Sequence, residues 1–342
     1  MATMRASKKP VLSVRNLSTH FFVDEGTVRA VESISFEVYS RQTLGIVGES
    51  GCGKSVTARS ILRILESPGR IVGGQVLFWQ DMGNGEQHEV DLIQLDTNGE
   101  EMRSIRGGQI ALIFQEPMTS FSPVHTIGDQ IVEAIRIHVK AKKQEARERA
   151  IELLRLVGIP RPERRVDEYP FQLSGGLRQR AMIAMALSCG PKLVIADEPT
   201  TALDVTTQAQ IMDLMRQLQE QRGMAMILIT HNMGLIAEMA DDVMVMYLGR
   251  QVEYGPVGDI FHAPMHPYTK ALLRSIPSIR STPRERLPTI SGSIPHPYNR
   301  PSGCPFHPRC SSFIPGKCER QQPEPIPVGG KQLASCFLYP RL

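Results

Sequence analysis

Apolar and polar positions alternate from Val11 to Val38, where VLSVRNLSTHF and ISFEV read as strands of an antiparallel layer around a turn at Asp24 to Thr27. The texture changes at Thr43. TLGIV is short and wholly apolar, as a buried strand is, and it runs into the glycine turn GESGCGKS, Gly48 to Ser55. A helix follows over Val56 to Glu66, with Ala58, Ile61, Leu62 and Leu65 on one face. Strand, glycine turn and helix in that order make a parallel-sheet unit whose ligand site lies at the strand's carboxyl end.

Between Glu116 and Ser188 the period is mostly helical, with Ile131 to Lys140, Gln144 to Val157 and Gly176 to Ser188 as candidate helices. Parallel-sheet texture returns in LVIADE and MAMILIT, and VMVMYLGRQVEYG reads as a hairpin turning at Gly249. Past Pro256 the chain is rich in proline, with little helical periodicity after Ile276. The predicted fold is α/β: a core over 1–255 combines a parallel sheet with the antiparallel β layer and carries an inserted helical subdomain at about 116–188. A small, irregular, cysteine-bearing C-terminal domain takes 256–342. No internal repeat or low-complexity tract interrupts this order.

Composition narrows the class. With 342 residues and 41% hydrophobic content the chain can build one large core and an appendage. No run approaches the roughly eighteen apolar residues a membrane span needs. The start, MATMRASKKPVLSV, is basic but has no apolar signal segment behind it, so a cytoplasmic location is expected. The net charge of +4 is small, and the basic cluster Lys140 to Arg149 is interleaved with Glu145 and Glu148. That is the pattern of a solvated helix face and not of a nucleic-acid stripe.

The chemistry concentrates in few places. A glycine-rich turn lets successive N–H groups converge on phosphate oxygens while the next helix points its positive end at them. Gly48, Gly51 and Gly53 supply the bare backbone, Lys54 suits the β and γ phosphates, and Ser55 suits magnesium. Asp197 ends the apolar run LVIAD, where a carboxylate near a metal would stand. Glu198 follows it and can accept a proton from an attacking water.

With LSGGLRQ, Leu173 to Gln179, placed between GESGCGKS and LVIADE, the chain resembles one family, the ATP-binding subunits of ABC transporters. The resemblance implies a P-loop ABC ATPase using ATP and Mg2+. Gly48, Glu49, Ser50, Gly51, Cys52, Gly53, Lys54, Ser55 and Val56 then surround the phosphates, with Cys52 filling space. Asp197 stands behind the metal. Gln115, after IALIF, reaches metal and water; Glu198 and His231 complete the catalytic set, His231 as the sensor of the γ phosphate. Phe21 matches the aromatic that stacks on adenine, with Phe22 beside it as a rival and a core role open to either. Ser174, Gly175 and Gly176 grip the nucleotide held by a partner subunit, and Asp204 lies in the loop that crosses to that partner. Two departures from the family pattern, Leu177 and Asn232, remove no catalytic group.

The segment HAPMHPYTKALLRSIP and the earlier EPMTSFSPVHTIGDQI resemble the dipeptide and oligopeptide importer branch, whose nickel-importing relatives share these features. This implies peptide uptake, two transmembrane permease subunits, a second and different ATPase subunit, and an extracytoplasmic solute-binding protein. The chain would sit peripherally on the cytoplasmic face of the inner membrane. A soluble non-transport ABC ATPase is the rival reading. Cys304, Cys310, Cys318 and Cys336 crowd the tail, whereas the first 303 residues hold only Cys52 and Cys189. Four thiolates suit a 4Fe-4S cluster or tetrahedral zinc, and free or redox-labile thiols are the remaining reading. Their spacings lack the paired CxxC of zinc ribbons and resemble the cluster-binding tail of some peptide-importer ATPases.

Overall fold

The computed structural model describes residues 9–81, 87–115, 120–200, 203–276 and 290–340. The opening residues of EPMTSFSPVHTIGDQI, 116–119, and residues 201–202 of the PTTALD stretch lie outside the described residues. In chain order the strands are β1 (Leu12–Val23), β2 (Gly26–Val38), β3 (Thr43–Val47), β4 (Gly69–Asp81), β5 (Gln87–Asp91), β6 (Ile110–Ile113), β7 (Leu193–Asp197), β8 (Ala225–Ile229), β9 (Asp242–Tyr247), β10 (Arg250–Pro256), β11 (Ile326–Gly329) and β12 (Gln332–Ala334). The helices are α1 (Lys54–Ile61), α2 (Glu100–Ile105), α3 (Ile127–Val139), α4 (Lys143–Leu156), α5 (Pro162–Arg165), α6 (Gly175–Leu187), α7 (Val205–Arg222), α8 (Met233–Met239), α9 (Val257–His262) and α10 (Pro267–Arg274).

The chain forms two compact units. One takes the stretch ending at Leu12, Val38–Gln42 and Phe78–Leu228; the other takes Ser13–Glu37, Thr43–Leu77 and Ile229–Leu342. In the first unit β8, β7 and β6 lie in that order, with β6 and β7 parallel from Ile110 opposite Leu193 to Ile113 opposite Ala196. Every residue of β7 is buried, as expected of a parallel strand covered on both faces. Helices α3, α4 and α6 of this unit pack on one another. Thr126 caps α3 by accepting the Asp129 N–H, and Ile127, Ile131, Val132 and Ile135 form its buried stripe. Ala146, Ala150, Leu153 and Leu154 form that of α4.

In the second unit the order is β11, β12, β10, β9, β3, with β3 parallel to β9 and the remaining pairs antiparallel. Strand β10 therefore pairs with β9 through Gln251 opposite Met246 and with tail strand β12 through Glu253 opposite Ala334. Glu253 is fully buried and satisfied: its carboxylate accepts from Met265 N–H at 2.7 Å, His266 N–H at 2.9 Å and Gln332 Nε2 at 2.8 Å. One carboxylate thus joins β10, the start of α10 and β12.

Helix α1 begins at Lys54 and not Val56, because Gly53 adopts a left-handed backbone that caps the helix directly from the glycine turn. It also ends early, at Ile61, where Arg63 takes a left-handed backbone. Helix α7 escapes the periodicity reading because Gln and Asp dilute its apolar stripe of Ile211, Met212, Met215 and Leu218.

Candidate active site

The second unit carries the phosphate loop. Gly48 has φ 153°, and a Cβ there would fall 2.2 Å from the Met246 carbonyl oxygen and 2.7 Å from Cys52 Sγ. Gly53 has φ 102°, and its Cβ would fall 2.2 Å from the Ala30 carbonyl oxygen. Neither position admits a side chain. Lys54 is buried, and its Nζ donates to the Gly48 carbonyl at 2.8 Å and to that of Glu49 at 3.2 Å. The ammonium is thereby anchored at the loop, where the N-terminus of α1 also points. Cys52 is buried and burial raises its thiol pKa, which disfavours the nucleophilic thiolate.

The tail fixes this loop from behind, a contact that sequence reading misses. Arg309 grips Glu49 with both ends of its guanidinium, Nη1 to Oε2 at 2.7 Å and Nη2 to Oε1 at 3.0 Å. Its side chain is only 4% exposed, and the Glu49 hydrogen bonds hold the guanidinium pKa above its ordinary value. The Glu49 N–H donates to the Tyr268 hydroxyl at 2.9 Å. Tyr268 packs with Tyr247 and Phe306, ring centroids 4.8 and 5.3 Å away, and burial raises both tyrosine pKa values. Arg309 and Glu49 are separated by 260 positions, so no local pattern signals the pair.

The first unit brings Gln115 and Glu198 together: Gln115 Nε2 donates to Glu198 Oε2 at 3.0 Å. Asp197 is the buried last residue of β7, and Glu198 has φ 48°, a left-handed backbone unusual for a residue with a Cβ. A left-handed backbone at a residue with a Cβ costs about 1–2 kcal/mol. Gln179, inside LSGGLRQ but given no role from sequence, is buried and donates to the Pro199 carbonyl, which ties α6 to the residue after Glu198.

Ser174 caps α6, accepting the Leu177 N–H at 3.4 Å, and both Ser174 and Gly175 are exposed. A Cβ on Gly175 would meet nothing within 4 Å; on Gly176 it would meet Thr207 Cγ2 at 3.4 Å. Asp204 caps α7, accepting the Thr207 N–H at 2.9 Å and the Thr207 hydroxyl at 2.7 Å, which lowers its pKa.

In the second unit His231 is exposed just beyond β8, and Asn232 caps α8 by accepting the Leu235 N–H at 3.2 Å. Asparagine and aspartate cap equally well, so that departure from the family pattern has a local reason. The two phenylalanines separate by strand alternation. Phe21 is half-buried with its ring against Gly69, where a Cβ would fall 2.7 Å from Cε1. Phe22 is 46% exposed beneath the Arg70 guanidinium, 5.9 Å from the ring centroid.

The four tail cysteines, all free, line one cavity of about 10 Å³ together with His266, Phe306 and Phe337. The Cys304 N–H donates to the Cys318 carbonyl at 2.7 Å. Burial, with repulsion from the other three sulfurs, pushes the Cys304 thiol up to about 12. Tetrahedral zinc would draw the sulfurs to about 3.8 Å from one another. Among the described residues no three His, Cys, Asp or Glu side chains converge closely enough to hold a metal ion. Four thiols are donors of the kind that zinc and an iron–sulfur cluster both take, and the converged geometry of neither is present among the described residues.

Comparison with known proteins identifies the family. The model of the ABC transporter family matches residues 31–201, and that of the oligopeptide/dipeptide transporter C-terminal region matches 252–318. A probable peptide ABC transporter ATP-binding protein of Sinorhizobium fredii is 49% identical over 339 residues, 98% of each chain. The dipeptide transport ATP-binding protein DppD of Escherichia coli is 48% identical over 313 residues, 92% of each chain. Among solved structures, a dimeric post-hydrolysis state of the ATP-binding cassette MJ0796 with ADP and Pi has a TM-score of 0.62 at 25% identity. That match covers 72% of this chain and 98% of that one. With the phosphate loop, the signature segment, the paired carboxylates and both family models in one chain, the protein belongs to the ABC transporter ATP-binding family, in the branch bearing the oligopeptide/dipeptide transporter C-terminal region.

Proposed function

We propose that this chain is the ATP-hydrolysing subunit of a peptide importer, bound peripherally to the cytoplasmic face of the inner membrane. Among the described residues no helix is long and apolar enough to cross a membrane, so the transport path belongs to other subunits. Relatives at 48–50% identity carry peptide and dipeptide transport in their names, which supports peptide as the cargo. Two permeases, an extracytoplasmic solute-binding protein and a second ATPase subunit complete the system; a heterodimer of ATPases is the arrangement we favour. Nickel import is the neighbouring alternative.

The observation that carries the reading is the Gln115–Glu198 hydrogen bond, because it presents a carboxylate together with the amide that steers it. In the second unit Gly48 to Val56 would hold the phosphates, Lys54 would neutralise β and γ charge, and Ser55 would hold Mg2+, an ion that would supply further charge neutralisation; in the first unit Gln115 and Asp197 have the ligand chemistry for the same ion. Glu198 takes the proton of the water that attacks the γ phosphorus in line, releasing ADP and phosphate. His231 senses the γ phosphate and Phe21 stacks on adenine. Ser174, Gly175, Gly176 and Asp204 serve the nucleotide of the partner subunit. Glu198→Gln in the assembled transporter should lower kcat by about 10²–10⁴, while ATP affinity changes less than about threefold. Turnover within about threefold of wild type would assign the work to the partner subunit's site or the base to another residue. Copurification through this chain tests the partners: a homodimer without permeases would refute both the heterodimer and the transport reading.

The four cysteines hold a 4Fe-4S cluster in this proposal, supported by their shared cavity and their donor chemistry. Such a group would staple the proline-rich tail. Anaerobically purified chain should carry iron and acid-labile sulfide in equal amounts, both lost in Cys310→Ser. Colourless protein with one zinc would refute it.

A further inference from the structure

A basic cavity lies in the same unit as the phosphate loop and does not include Lys54. It has a volume of about 410 Å³ and presents Arg29, Arg250, Arg300, Tyr298, Ser302 and Gln322, with no carboxylate among its described lining residues. Thr27 and Arg29 of β2 face it. They are exposed, whereas the alternate residues Val28 and Ala30 are half-buried, and the Ala30 backbone packs on Gly53. The cavity is therefore separate from the phosphate loop.

Its charges are poorly matched. Glu32 is the shared counter-ion: Arg300 reaches it at 3.4 Å, Arg29 at 3.8 Å and Arg250 at 3.9 Å, while His20 competes at 3.6 Å. Elsewhere in this unit a satisfied arginine looks different, as Arg309 shows with 2.7 and 3.0 Å contacts to its own carboxylate. Glu324 lines a neighbouring cavity and acts on Arg250 only at longer range. Arg250 Nε, Arg300 Nη2 and Gln322 Nε2 are buried donors without an acceptor. Buried cations are ordinarily paired, and unpaired buried donors are rare because each loses its hydrogen bonds to water. Burial and repulsion from Arg250 lower the Arg300 pKa to about 10, consistent with missing negative charge.

We propose that this cavity is an anion site that binds a small phosphate-bearing molecule between Arg29, Arg250 and Arg300. Phosphate supplies what the cluster lacks: close to two negative charges at neutral pH, several acceptor oxygens, and a fit to the guanidinium fork. The volume exceeds that of the phosphate group alone, so the rest of the ligand has room beside Tyr298.

The test uses the full chain and pyrophosphate as the probe, by titration calorimetry. The phosphate loop is itself a competing site, so the background variant is Lys54→Ala. One saturable pyrophosphate site should persist in it and weaken at least about tenfold on adding Arg300→Gln. Arg29→Gln, exposed enough to leave folding intact, should weaken it about threefold. Loss of all binding in Lys54→Ala, or unchanged affinity in both arginine variants with wild-type melting curves, overturns the proposal. Vesicles of phosphatidylglycerol or phosphatidylcholine identify the source. Arg300-dependent binding to the former, displaced by pyrophosphate, assigns the phosphate to a lipid headgroup; indifference to vesicles alongside pyrophosphate binding assigns it to a soluble molecule.

Discussion

Two glycine-bearing segments, each leading into a helix, are built in opposite ways. In the phosphate loop, Gly48 and Gly53 are enclosed by the chain's own backbone, Lys54 is bound to loop carbonyls, and Glu49 is clamped by Arg309 and Tyr268. In the signature segment, Gly175 faces open space, Ser174 is exposed, and the hydroxyl makes one long contact to its own helix. The first is finished by its own subunit. The second has glycine where nothing in its own subunit demands it, which is how a surface reserved for another molecule's phosphate would look.

The sharpest break of this comparison is Gly53→Ala. A Cβ 2.2 Å from the Ala30 carbonyl oxygen, on a left-handed backbone, forces the loop to move. The combined cost should be about 3 kcal/mol, or roughly a hundredfold in ATP affinity of the isolated subunit. Gly51→Ala meets no atom within 4 Å and bears only the strain of φ 78°, so its loss should be about tenfold. Equal losses in the two variants would show that backbone conformation, and not crowding, governs the loop.

Gly175→Ala tests the other segment. Its backbone is ordinary helix and its surroundings are empty, so folding should be unharmed or improved by about 0.5–1 kcal/mol. ATP binding to the isolated subunit should stay within about twofold of wild type, yet hydrolysis by the assembled transporter should fall about tenfold or more as the methyl meets the partner's nucleotide. Undiminished hydrolysis would mean that no phosphate approaches this glycine.

The same contrast governs what could be read from sequence. The phosphate loop, the signature segment and the strand ending at Asp197 are each written in a few contiguous residues, because strand, turn and helix signals are local. The helices α3, α4 and α6 are likewise legible to within four residues, since their buried stripes recur at helical spacing. The Arg309–Glu49 clamp is not, because tertiary pairing across 260 positions leaves no periodicity. Phe21 and Phe22 differ in burial through strand alternation and the position of Gly69, neither of which the dipeptide FF contains. The four cysteines stand out by number, while only folding places their irregular spacings on one cavity.

The clamp itself supplies the finest test, since it asks how much of the loop's readiness comes from the tail. Arg309→Met retains the bulk of the side chain and leaves the partly exposed Glu49 carboxylate to water, so nucleotide binding should suffer more than stability. The KM for ATP should rise about tenfold with kcat unchanged, the signature of lost uniform binding. Arg309→Lys should fail to restore it, because a point ammonium cannot make both contacts at 2.7 and 3.0 Å. Adding Glu49→Gln to Arg309→Met should cost less than the sum of the two single changes. Tyr268→Phe keeps the ring against Tyr247 and Phe306 and removes only the acceptor of the Glu49 N–H, worth about 1 kcal/mol or roughly fivefold in KM. A KM unchanged in Tyr268→Phe but raised in Arg309→Met would place the tail's influence in the carboxylate of Glu49 alone. A KM unchanged in both would reduce the clamp to packing.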